Sequence, residues 1–484
     1  MFVWKDEEGE FADSVAEMQL ENVQVLTMRK DCMFELRRQI EVDYADEDLL
    51  IYCPIRFEQP QDNWLLDVFL YSEEFQADYW SLMFAEMNIE NARPVREYAR
   101  SVSAFFAGKE RRAKLASLRE KYANERELQT GIFGVLCGTK TFGMAEIVRK
   151  ALSCDLDEEN PCIAAIEKFC GADAFWLAME DNYGYAGKRE ADSLACHLLT
   201  TAAMNSADGE DGAGLSGNAA FMLPAFGLFM DWKRMDAEGL LNLCQRIEEK
   251  FDIERRLSHL NRDMLMRMSV FPAADRLLIE ATLTSFADGR FSIDDTETLL
   301  RMRRDQTWAK EYAAYYDAVQ ALVQMQRFYL AYRNGFHFTQ AGEAWSAYTG
   351  ELYRMDAYYR AFCNAHNAAL ACGVMSLEDS LRTVSDAVER LYKNWYLAEL
   401  NGVWTQLLAA QGLNSLKKEA KQSDFYKDNV ASNDSRSYVI ISDALRYETA
   451  QALAGQMTGK LNGNTQLRAM VGTLPGITPV GMAA

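Results

Sequence analysis

The stretch "YVIISDALRYETAQAL" (438–453) decides how this chain is read. With the serine before it, "SYVIIS" (437–442) is β-branched and apolar, and it follows the polar run "KDNVASNDSR" (427–436). That contrast predicts a strand leaving a linker. "RYETAQALAGQMTG" then carries a helical pattern, and "QLRAMVGTL" (466–474) is a second possible strand. Strand, helix and strand open a βαβ unit. Too few strands follow to close a sheet, so the last domain is expected to be incomplete and to continue in a longer protein.

Working outward, the other end also reads as α/β. Residues 2–4, 23–27 and 48–53 are short β-rich runs, with helical patterns such as "DCMFELRRQIEV" (31–42) between them. Alternation of this kind predicts a parallel sheet. Strand one starts at residue 2, which suggests that residues before it are missing.

From about Tyr79 to Lys427 the pattern is helical. "GKERRAKLASLREKYANERELQ" (108–129) reads as one charged, solvated connector helix. "SLEDSLRTVSDAVERLYKNWYLAEL" (376–400) opens with Ser376 and Asp379, a variant capping box. Its predicted buried face is Leu381, Val384, Val388, Leu391, Trp395 and Ala398. "EYAAYYDAVQALVQMQRFYLAYRNG" (311–335) is a long helix ended by Asn334-Gly335, its aromatic stripe read as core. The Gly-rich "SADGEDGAGLSGNAA" (206–220) and "GVLCGTKTFG" (134–143) lack phosphate-loop spacing and read as plain loops. The expected organisation is therefore a multidomain chain. It has a small N-terminal α/β parallel-sheet domain (1–108), a long, mostly α-helical region (109–430) and the start of an α/β domain (431–484).

The 484 residues carry a formal net charge of -21. Such a surface repels polyanions on average, so direct DNA binding would need metal ions or a local basic groove. Ten cysteines contain no CxxC pair, which suits reduced thiols rather than a disulfide framework. No signal peptide or spanning segment is evident, and a cytoplasmic protein is expected.

Two residues carry most of the expected chemistry. Asp443 stands where the predicted strand ends, a position from which α/β sheets hold ligands. A carboxylate there can hold a divalent cation. It can equally cap the following helix, and composition alone favours the cap. Thr478, in "LPGITPVGMAA" (474–484), follows a Pro475-Gly476 turn and precedes Pro479, so it is expected as a helix N-cap. Its hydroxyl could also meet a phosphate, or act as a metal-activated nucleophile. "CNAHNAALAC" (363–372) places Cys363, His366 and Cys372 where a zinc site could begin, though buried structural roles are the favoured reading. The loop "KDEEGEF" (5–11) offers Asp6, Glu7 and Glu8. It is read as a solvated acidic turn that would repel phosphate, and "NWLLDVFLYSEEFQADYW" (63–80) as an aromatic surface for a protein partner.

The paired segments 438–453 and 474–484 resemble the start of the PglZ domain, a branch of the alkaline phosphatase superfamily. "VWKDEEGEF" (3–11), "LYRMDAYYRAF" (352–362) and "FYKDNV" (425–430) resemble other regions of the PglZ proteins of BREX phage-defence systems. The resemblance implies a metal-dependent phosphatase or phosphodiesterase in the full-length protein, with a divalent metal of the Zn or Mn type. By position, Asp443 matches the first metal-ligand aspartate and Thr478 the nucleophile, which also contacts metal. Arg446 and Glu448 belong to the "DALRYE" signature and would bind phosphate or serve structure. None of the four histidines (His197, His259, His337, His366) matches a superfamily ligand, so this chain alone is expected to be inactive and to bind no metal. Expected partners are other BREX components, notably BrxB and the methyltransferase. A non-catalytic scaffold that docks those components is the alternative.

Overall fold

The run Leu49–Cys53 is buried at every position, which a strand achieves only when both faces of its sheet are covered. It forms β3 (Asp48–Cys53), flanked by β1 (Phe2–Lys5) and β2 (Val23–Thr27); with β4 (Glu73–Gln76) they make a parallel sheet of order β2-β3-β1-β4. Val3 pairs with Ile51 and Trp4 with Tyr52. Alternation then sorts the side chains. Val3, Leu49, Ile51 and Cys53 pack with Met33, Leu36, Val68 and Phe69 on one face, and Trp4, Leu50 and Tyr52 with Val15 on the other. The fourth strand, β4 (Glu73–Gln76), has almost no apolar signal and lies within the segment read as a partner surface. It pairs parallel with β1 as an edge strand, and Phe75 stacks on Trp4 at 5.7 Å.

The computed structural model describes all residues except 77, 155–158, 208–216, 433–435, 444, 459–464, 474–475 and 484. Most of the Gly-rich loop 206–220, and Pro475 of the predicted turn, lie outside the described residues. The chain divides into two compact units, Met1–Leu198 with Gly227–Gly239, and Leu199–Phe226 with Leu240–Ala484. Among the described residues no helix is long and apolar enough to cross a membrane.

The first unit corrects two expectations. Asp6 is not solvated but fully buried (0% exposed) at the end of β1. One of its carboxylate oxygens accepts from Phe11 N at 2.9 Å and from the Tyr52 hydroxyl, because the β1–β3 register brings Tyr52 alongside. Glu7 and Glu8 stay exposed and face Arg56 and Arg100. The charged stretch 108–129 is also not one helix. It breaks between the helices Lys109–Leu118 and Glu125–Cys137. Buried Tyr122 sits in the break, exchanges backbone hydrogen bonds with Asn88 and Glu90, and donates its hydroxyl to Leu115 O at 2.8 Å. Asn124 then caps the second helix by accepting from Glu127 N. Non-local pairing of the Tyr122 backbone outweighs helix propensity here. Gly131 lets the second helix approach, since a Cβ there would lie 2.5 Å from the Tyr122 ring.

In the second unit, the long helix runs Ala313–Tyr332 and its aromatic positions Tyr315 and Phe328 are core. Helix Glu378–Glu389 starts after Leu377 with no side-chain cap, so Ser376 and Asp379 form no capping box. Leu381, Val384 and Val388 are buried as the period predicts. Beyond them the face changes, because Arg390–Leu397 is π-helical. A π turn bonds i to i+5 and widens the helix, so the buried positions advance by four, to Tyr392, Tyr396 and Leu400. Leu391 and Trp395 are only half-buried and Ala398 is exposed.

The predicted strand 437–442 is not formed. The segment carries no ladder, and Ile440 is 92% exposed. A strand is stable only against neighbours that take its backbone groups, and 466–474 contributes one isolated bridge, Lys421 to Val471. The helical half of the motif does form, as Tyr447–Thr458.

Candidate active site

The turn residue Asp443 and the helix Thr478–Ala483 face each other across a cleft of ≈ 790 Å³. Thr478 Oγ1 donates to Asp443 at 3.1 Å from Oδ1 and 3.4 Å from Oδ2. Thr478 is the first helical residue rather than the N-cap, since Gly481 N donates to Ile477 O at 2.9 Å. Both partners are exposed to solvent.

Gln422, which lines the cleft, is tied to the segment leading into the Thr478 helix and to that helix, and had no signal in the sequence. Its backbone N donates to Val471 O at 3.0 Å, and its Nε2 donates to Gly481 O at 2.7 Å. Only the fold reveals it, because its partners lie about fifty and sixty residues away. Phe425, Tyr426, Val439 and Ile441 supply the apolar wall.

The "DALRYE" signature splits in space. Asp443 lines the cleft, whereas Arg446 and Glu448 do not and instead engage the helical part of the same unit. The Arg446 charge acts on the nearby Tyr392 phenol, which holds the guanidinium above its ordinary range. Tyr447 donates to Thr349 O at 3.1 Å and packs its ring on Tyr353. Glu448, 2% exposed, lies 3.6 Å from Arg360 and accepts from Thr449. Beneath them, buried Asp356 accepts from Tyr392 (2.6 Å), Tyr348 (2.8 Å) and Tyr396 (3.3 Å). Burial first, and the Asp356 charge with it, pushes these three phenols well above their ordinary range. The π turns Tyr348–Leu352 and Arg390–Leu397 carry all three tyrosines.

The residues present offer a divalent cation the Asp443 carboxylate and the Thr478 hydroxyl. Among the described residues no group of three or more His, Cys, Asp or Glu side chains is placed to hold a metal. Among the described residues the cleft lining contains no Lys or Arg, so there Asp443 leaves it negative and unfavourable for a phosphate on its own. The donor set therefore does not make a complete metal site. Nor do Cys363, His366 and Cys372 gather. Cys363 lies near Tyr359, Cys372 donates to Ala368 O, and His366 Nε2 is buried without a hydrogen-bond partner.

Residues 425–484 match the model of the BREX system PglZ alkaline phosphatase-like domain. Along 99% of its length the chain is 27% identical to the alkaline phosphatase-like protein BrxZ of Escherichia coli O9:H4 (strain HS). The chain is thus similar to PglZ proteins along its length. Over 99% of its length it is also 26% identical to the alkaline phosphatase-like protein PglZ of Bacillus cereus (strain H3081.97). It spans 58% and 57% of those two PglZ-family relatives. No solved structure gives a significant match. The cleft lies wholly within the matched PglZ segment, apart from Gln422 and Ser423 just before it.

Proposed function

We propose that this chain carries the opening part of a phosphate-ester hydrolase site, with Thr478 as nucleophile and Asp443 as its partner. The carrying observation is the Thr478–Asp443 hydrogen bond inside the family-matched segment. In this reading Thr478 Oγ1 attacks phosphorus in line and the ester oxygen leaves. Water then cleaves the phosphothreonine. Asp443 and Thr478 would form one side of a divalent-cation site of the Zn or Mn type, with the other donors coming from residues this chain does not describe. Arg446 and Glu448 anchor the segment that carries Asp443 and need not touch substrate. The substrate would be a phosphate mono- or diester.

The test is hydrolysis of nitrophenyl phosphate mono- and diesters by a protein of the relatives' full length. Thr478→Ala and Asp443→Ala should each lower the rate by about 10³-fold or more, and the double variant should be little worse, since the residues act as a unit. Near-native rates in both single variants would reduce them to helix and turn residues.

A second reading, a scaffold for other BREX components such as BrxB or the methyltransferase, has its own observation. Phe34 (72% exposed) and Trp64 (60% exposed) meet edge to face at 4.9 Å on the outside of the sheet-containing unit, and Leu70 and Tyr71 nearby in sequence are also exposed. Large aromatics open to solvent suit a protein interface. Retention of a BREX component by the native chain, lost in Phe34→Ser with Trp64→Ser, would support it.

A further inference from the structure

The helices Ile293–Arg303 and Ala313–Tyr332 pack on each other in the second unit, and their joined ends border a cavity of ≈ 690 Å³ that shares no residue with the Asp443 cleft. A volume of that order takes a small organic ligand. Glu297, Leu300, Arg301 and Arg304 recur at the helical period on one wall, and Ala313, Tyr316, Asp317 and Gln320 on the other.

Some of these groups are already satisfied, and the rest define what the cavity can hold. Glu297 is engaged by Arg327 at 2.8 Å. The Tyr316 hydroxyl donates to buried Asp275, which Arg303 neutralises, so Tyr316 offers the cavity its ring, beside Leu300 and Ala313. Arg301, Arg304, Asp317 and Gln320 remain. Arg301 Nη2 donates to Thr298 Oγ1 at 3.2 Å, which orients the guanidinium. Among the described residues, Arg301, Arg304 and Asp317 form no ion pair, either with one another or with any other side chain.

Arg301 and Arg304 are three residues apart, so one helix face carries both guanidinium groups. Like charges at that spacing repel each other, and an anion shared between them turns the repulsion into attraction. Each planar guanidinium can take two oxygens of a phosphate or carboxylate at once. A carboxylate has only two oxygens, whereas a phosphate monoester has three terminal ones to share between two arginines. Asp317, on the facing wall, repels a bare anion but accepts from hydroxyl groups, and the Gln320 amide one turn further on can do the same. The two walls together therefore suit a ligand that is anionic at one end and rich in hydroxyl donors at the other. The Asp443 cleft, whose described lining holds no basic side chain, has the opposite character.

We propose that this cavity binds a sugar phosphate, free or as part of a nucleotide, with Arg301 and Arg304 on the phosphate and Asp317 and Gln320 on the sugar hydroxyls. Thr478 and Asp443 take no part.

The test is isothermal titration calorimetry of the whole chain with ribose 5-phosphate, AMP, ribose and inorganic phosphate. Ribose 5-phosphate, AMP or both should bind at least about tenfold more tightly than ribose or inorganic phosphate, because only they satisfy both walls. The tighter of the two identifies the source. Arg301→Gln with Arg304→Gln should weaken that binding at least about tenfold. Asp317→Asn should weaken it while leaving inorganic phosphate bound no less tightly, and Thr478→Ala should not change it. A readout on the unsubstituted chain guards against a folding defect: the bound ligand should slow phenylglyoxal modification of Arg301 and Arg304, mapped by peptide mass spectrometry, but not that of exposed Arg126. No binding of either sugar phosphate at millimolar concentration, inorganic phosphate bound as tightly as both, unchanged binding in the arginine or the Asp317 variant, or loss of binding in Thr478→Ala would overturn the inference.

Discussion

Thr478 donates to Asp443 at 3.1 Å across 35 residues of sequence, and the two meet on the rim of a cleft whose described lining holds no basic side chain. A hydroxyl beside a lone carboxylate is oriented, but its charge environment opposes an incoming phosphate. The pair is thus oriented, while its described charge surroundings oppose an anion.

From this we expect the chain as it stands to show no turnover of nitrophenyl phosphate mono- or diesters, even with millimolar Zn²⁺ or Mn²⁺. One carboxylate and one hydroxyl bind such ions weakly in water. Metal-dependent turnover that disappears in Thr478→Ala would refute this expectation.

Asp356 is expected to govern how firmly 446–458 is attached. Asp356→Ala leaves the Tyr348 and Tyr392 hydroxyls without their acceptor and should cost about 2–4 kcal/mol in urea unfolding. Amide exchange in the helix Tyr447–Thr458 should speed up more than in Ala313–Tyr332. Equal acceleration in both would mean that the cluster serves general stability only.

Asp78 should show a defined pH signature. Burial raises its pKa, but hydrogen bonds from Ser81 and the Arg96 guanidinium outweigh that, and the net shift is below the ordinary 3.8. A depressed folded pKa stabilises the fold above 3.8, and that stability is lost as pH falls through the lower folded value. Asp78→Asn should therefore cost about 1–3 kcal/mol near neutrality, and the gap to the native chain should narrow below pH 3.8. Chemical unfolding at pH 7 and pH 3 measures it; a gap that widens on acidification contradicts the assignment.

Arg303 and Asp275 form an ion pair at 0% exposure, and Arg303 also donates to the carbonyls of Leu265, Met266 and Met268. Arg303→Met leaves a buried carboxylate uncompensated and should cost about 3–5 kcal/mol. Adding Asp275→Leu should recover part of that loss. A double variant whose cost equals the sum of the two singles would show that the charges are not coupled.

The N-terminal strands were legible because apolar runs such as Leu49–Cys53 record burial on both faces. β4 was not, since "EEFQ" is an edge strand with little to bury. The helical middle followed its period until the π turn at Arg390–Leu397, where the wider turn put Tyr392 and Tyr396 inside in place of Leu391 and Trp395. A π turn leaves no mark in hydrophobic periodicity, because the backbone bonds that define it depend on what packs against the helix.

What the amino-acid order determined by itself is therefore local or short-period: the β3 core run, the helices, and the motif that singled out Asp443 and Thr478. Tertiary structure decided the rest. It buried Asp6 under Tyr52, broke 108–129 at Tyr122, sent Arg446 and Glu448 to the helical side, and left "YVII" without a ladder. The first three turn on a backbone or side-chain polar group finding a partner elsewhere in the chain, and the last on a segment that finds no ladder. Only the folded chain brings such partners together.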